Sequence, residues 1–313
     1  MHARVPSLLR RMLSLCSLLL FLVLTGCQTQ QDAVAAAQQM AATTATLQAY
    51  YASLLTLVDR NLEAQTALGV VTGVPVDSDT RRQLDDIRSS LQTREDAAAA
   101  FTRLAAKFSE LTASTAQADV VKAATDLNGK VVALAPLPTG VSSAEATVLK
   151  MTVNALMTAV VARQEIKAAQ QIKPATDALS ALFDKEADTY VSFSNSYYNA
   201  AASASNALIQ QQAVPAALLF RSSLEPFGLI ADITDAQTKK AAVAHLRNMV
   251  SSRQAERAAQ TRAATNDLGE ALHVMRDRID TVARHKPLHA DRPPFTLEGA
   301  REWINQVRND LGA

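Results

Sequence analysis

Glu270 and His273 stand in the string Glu270-Ala-Leu-His273, the spacing with which helices of metal-binding bundles present a carboxylate and an imidazole to one ion. A di-iron site of the ferritin-like kind needs that pair twice, with further glutamates from other helices, and Glu-x-x-His occurs only once in this chain. His273 also falls beside the apolar ladder of its own helix (Leu268, Leu272, Met275, Ile279, Val282), so it is expected at an edge. His285, His289 and Asp291 form a second cluster of metal-ligating types. Pro287 lies between the histidines and takes away the helix that would align them. No metal site and no cofactor is expected.

Arg94 is the one charged residue on an apolar seam that otherwise reads Leu84, Ile87, Leu91, Ala98, Phe101, Ala105 and Phe108. Such an arginine can receive a phosphate or carboxylate ligand. The expectation here is plainer: its stem covers apolar surface while the guanidinium reaches the edge or pairs with an acid. Tyr190, Phe193, Tyr197 and Tyr198, interleaved with Ser194, Asn195 and Ser196, are the chain's most unusual side-chain grouping. Aromatic rings with polar tips suit recognition of a protein or glycan. The three-four spacing of 190, 193 and 197 suits a core layer equally, and core is the favoured reading. No nucleophile elbow, phosphate-cradling glycine-rich loop, dinucleotide fingerprint or zinc-protease motif occurs. The chain is not expected to be an enzyme.

The elements that hold these residues are read from composition first. Formal net charge is +1, aromatics make up 4% of residues, and there are only 9 glycines and 10 prolines in 313 positions. A nucleic-acid binder would carry a clear basic excess, so nucleic acid is not an expected partner. Alanine, the best helix former, is far above its usual share, and strand-type alternation never persists. The expected class is all-α.

At the N-terminus, Arg4, Arg10 and Arg11 precede an apolar run from Met12 to Leu24 that is short for a membrane span. The run ends Leu24-Thr25-Gly26-Cys27. Those four residues resemble the lipobox of bacterial lipoproteins. The resemblance implies removal of residues 1–26, lipidation of Cys27, and a membrane partner reached through that lipid. More than one acyl chain makes such an anchor firm. Gln28 rather than aspartate after the cysteine favours the outer membrane. Cys16 leaves with the leader and Cys27 is acylated, so the mature chain is expected to fold in the oxidising periplasm without a disulfide. At roughly 285 residues it is large enough to bury about three-quarters of its unfolded surface.

Downstream, residues 27–31 are read as anchor and short tether, and 32–313 as one helical domain. A first helix spans about Asp32 to Leu68, with Leu47, Tyr51, Leu54, Val58 and Leu62 on one stripe. Gly69, Gly73 and Pro75 stop it, and Asp77, Ser78 or Asp79 caps the next, which carries the Arg94 seam. A third segment, Asp119 to about Leu134, ends in a turn at Pro136–Gly140. Helical signal then runs from Ser142 to about Gln212, with a break or kink expected at Pro174 and a bend within Tyr190–Asn199. Val214–Leu229 is an apolar connection; the apolar stretch Met151–Ala162 is read as core. A long helix covers about Thr234 to Arg284, with alanine-only packing expected over Ser251–Arg262. A closing helix, 297–311, has Leu297, Ala300, Ile304, Val307 and Leu311 on its stripe and Trp303 flanking it.

The expectation is an elongated antiparallel bundle of about five to seven helices. The chain is expected to be a lipid-anchored envelope protein acting as a non-enzymatic scaffold or protein-binding module, with a protein partner. The alternative is a ligand- or metal-binding bundle, enzymatic or not.

Overall fold

Helix α1 (Ser7–Thr72) stops where the chain turns back: Gly73 takes φ +74°, a left-handed conformation that costs a side-chain-bearing residue about 1 kcal/mol or more. Gly69 is needed too, because a Cβ there would sit 2.5 Å from the Val74 carbonyl oxygen. The helix thus runs one turn past the expected stop at Leu68. Asp77 then caps α2 (Ser78–Leu111), its Oδ1 accepting from the Thr80 backbone N–H at 2.7 Å. That bond holds the Asp77 carboxyl below the usual carboxylate range.

The structure is a computed structural model that describes residues 7–111, 165–214, 235–284 and 296–311, with side chains from Asp32 onward except at 110–111, 165–167 and 171. The leader with its Leu24–Cys27 box lies before the described side chains. The expected elements at 119–134, 136–140, 142–164 and 214–229, the Met151–Ala162 stretch, and the His285, His289 and Asp291 cluster also lie outside the described residues, apart from Val214. Three more helices complete the described part: α3 (Glu165–Gln210), α4 (Ala236–Ala283) and α5 (Glu298–Leu311). Among the described residues there is no strand.

Cross-helix contacts set the directions. Asp59–Arg88 and Thr44–Thr102 make α2 antiparallel to α1. Tyr51–Tyr190, Asn61–Ser196 and Val71–Gln211 make α3 parallel to α1. Gln170–Ala283, Asp184–His273 and Asn199–Gln254 make α4 antiparallel to α3. The result is an up-down-up-down bundle with α5 laid between α1 and α4, and α1 touches each of the other helices.

Three sequence expectations meet a different outcome here. Pro174 does not break α3, which is assigned as one helix from Glu165 to Gln210. The proline removes one N–H, but Gln170 and Pro174 are both exposed, so water can reach the freed carbonyl. Ala169, Ile172, Ala175 and Leu179 meanwhile hold the opposite side in the core. Trp303 does not flank the stripe of α5; it is 2% exposed and among the largest fully buried side chains. In α4 the stretch Ser251–Gln260 is largely exposed rather than tightly packed on alanines.

Candidate functional site

Midway along the bundle the apolar seams of α2 and α3 are each interrupted by one charge, and the two meet. Arg94 Nε donates to Glu186 Oε2 at 2.8 Å and Arg94 Nη2 to Oε1 at 2.5 Å, a two-pronged pair with side chains 2% and 0% exposed. Nη1 donates back to the Ser90 carbonyl at 3.0 Å. Burial works against the charge on Arg94, but the hydrogen bonds and charge of Glu186 outweigh it and hold the guanidinium firmly protonated. Tyr190, one turn beyond Glu186 on α3, donates its hydroxyl to Oε2. Since that hydrogen is committed, Tyr51 of α1 must be the donor in the 3.3 Å Tyr51–Tyr190 contact.

A second chain of bonds lies beside the first. Thr265 gives its hydroxyl hydrogen to the Thr261 carbonyl, so Tyr50 donates to Thr265 Oγ1 at 2.7 Å. Thr261 likewise donates to the Arg257 carbonyl, and its oxygen accepts from both Trp303 Nε1 (3.0 Å) and Ser194 (2.9 Å). Around these bonds the rings of Tyr50, Tyr51, Phe183, Tyr190 and Trp303 pack mostly edge to face, with centroids 5.0 to 6.1 Å apart. Burial pushes the phenols of Tyr50, Tyr51 and Tyr190 well above the ordinary tyrosine range.

This layer ties α1, α2, α3, α4 and α5 together. Arg94 has received a carboxylate, but an internal one, buried rather than at the edge. The pair offers no free charge and no exposed face to a ligand, so its chemistry is structural.

The aromatic grouping of α3 divides. Tyr190 and Phe193 are core residues, whereas Tyr197 and Tyr198 are half-buried with rings 5.0 Å apart. Burial, reinforced by Asp310, pushes the Tyr198 phenol up to about 12. Only the 197–198 pair remains for any outward contact. His273 makes a half-exposed pair with Asp184 at 2.8 Å, and Glu270 is exposed. Among the described residues no three His, Cys, Asp or Glu side chains gather closely enough to hold a metal. A groove of about 820 Å³ follows α5 past Glu298, Arg301, Glu302 and Asn305, but its charges are mixed and exposed.

Sequence reasoning passed over Glu186, Tyr50, Thr261, Thr265 and Ser194 as members of this layer. The signal for Glu186 was present. It sits on the seam Leu179, Phe183, Tyr190, Phe193 as Arg94 sits on its own: two intruders of opposite sign. Compared with known proteins, the chain matches no family model, and no curated protein or solved structure matches it.

Proposed function

We propose that this chain is a lipid-anchored protein of the bacterial envelope, held in the outer membrane through Cys27, and that its helical bundle is a non-enzymatic scaffold or protein-binding module. The observation that carries the reading is the Leu24-Thr25-Gly26-Cys27 string behind a basic, apolar leader. No described helix is long and apolar enough to cross a membrane.

The bundle's dimensions support a scaffold. Ala33, Ala36, Ala37 and Met40 are already buried, and only the five residues 28–32 separate Ala33 from Cys27. Five extended residues reach about 17 Å at most. From Asp32 to Thr72, α1 rises about 60 Å. Reach therefore comes from the rigid body rather than from a tether.

The test is metabolic labelling with palmitate, followed by fractionation of the membranes. Wild-type protein should carry label in the outer-membrane fraction, and Cys27→Ser protein should persist as an unlabelled precursor. Label retained on Cys27→Ser protein would overturn the anchor.

A further inference from the structure

Charge is unevenly shared along the bundle. Between Lys239 and Arg262, α4 carries six cations (Lys239, Lys240, Arg247, Arg253, Arg257, Arg262) and one acid, Glu256. That is a net charge of +5 in a chain whose total is +1. Arg257 is engaged with Asp310 at 2.9 Å. The other five have no ion-pair partner among the described residues, and all but Lys239 are exposed. Lys240, Arg247 and Arg262 fall within about 60° of one another around the helix, with Ala244, Ser251 and Ala255 between them. This half of α4 lies toward the end of the bundle away from Ala33, beside the α1–α2 turn.

We infer that this stretch of α4 is a docking surface for an acidic protein partner. Lys240, Arg247 and Arg262, without ion-pair partners among the described residues, stand on one face of a rigid helix, and an acidic surface laid along about 33 Å of it would pair all three. A second copy of the chain would bring like charges together. An anionic membrane fits less well, because a helix lying in a membrane surface needs a free apolar face. Here the apolar side chains Val243, Leu246 and Val250 are half-buried, leaving Met249 as the one exposed large apolar side chain of the stretch among the described residues. Small residues between the cations let a partner helix approach closely. The inference deepens the protein-binding reading proposed above and rests on it for the kind of partner.

The test uses the full chain in neutral detergent and a labelled polyglutamate peptide, with binding followed by fluorescence anisotropy. Binding should weaken steadily as NaCl rises to about 1 M, where the screening length is about 3 Å. The variant Lys240→Glu/Arg247→Glu/Arg262→Glu should lose affinity about tenfold or more, and the matching glutamine variant should lose part of it. The variant Arg81→Glu/Arg301→Glu/Arg308→Glu changes total charge equally on other faces and should stay within about twofold. Equal losses in both charge-reversal variants, absence of peptide binding, or binding only to phosphatidylglycerol vesicles would each overturn the surface. Palmitate labelling reads the anchor separately. A labelled chain that ignores the peptide sinks the docking surface alone; an unlabelled chain that binds it sinks the anchor alone.

Discussion

Arg94 of α2 and Glu186 of α3, 92 residues apart in sequence, close on each other through two hydrogen bonds of 2.8 and 2.5 Å in the interior of the bundle. Removing one partner strands the other charge. Arg94→Met alone, or Glu186→Leu alone, should lower stability by about 3 to 5 kcal/mol in urea titrations, whereas the double replacement should recover most of the loss. A double variant as weak as the sum of the singles would show that the pair is not coupled.

The tyrosines give a pH dependence with a definite sign. Their folded-state pKa values lie above the unfolded value near 10, so folding holds protons that the unfolded chain releases. Their contribution to stability should therefore be constant below about pH 10 and fall away as pH rises beyond it. The limiting slope is about 4 kcal/mol per pH unit if Tyr50, Tyr51 and Tyr190 all stay protonated. Tyrosinate absorbance from these three should appear together with the loss of helical circular dichroism. A gradual rise near pH 10 in a chain that stays helical would contradict their burial.

Trp303 is the chain's single tryptophan, which makes the docking of α5 directly readable. Its emission should be blue-shifted and shielded from iodide. Trp303→Ala should cost about 3 to 5 kcal/mol, and truncation after Pro294 should cost at least as much, since Ile304 and Val307 leave with it. An unchanged melting temperature after truncation would mean that α5 does not dock.

Hydrogen exchange tests how close to the lipid the rigid body begins. With Ala33 and Ala36 buried, backbone protection in the lipidated protein should set in by about Ala35. Amides that exchange freely as far as Leu47 would reveal a tether and remove the close-docked scaffold.

Much of this architecture was legible beforehand because it is local. Gly73, Pro75 and Asp77 announce the first turn by conformational preference and capping alone, and the seam of α2 repeats for four heptads. Residues 300, 303 and 307 make as good a helical stripe as 300, 304 and 307. The aliphatic reading of α5 therefore left Trp303 outside when both stripes are buried. That α3 is not broken at Pro174 was out of reach, because a proline's effect depends on which side of the helix meets solvent, and that is decided by packing against α1 and α4. The partner of Arg94 was hidden for the same reason: nothing within one helix says which acid, 92 positions on, will face it.

A bundle fastened by a buried charge pair also has a mechanical character. For α3 to slide along its neighbours by one turn, about 5.4 Å, Arg94 and Glu186 would each be carried into surroundings lined with hydrocarbon, at several kcal/mol per ion. Ordinary leucine seams resist such slippage only weakly, because one apolar contact replaces another. The pair therefore works as a register pin, making an axial slip of α3 against α2 costly at the middle of the bundle.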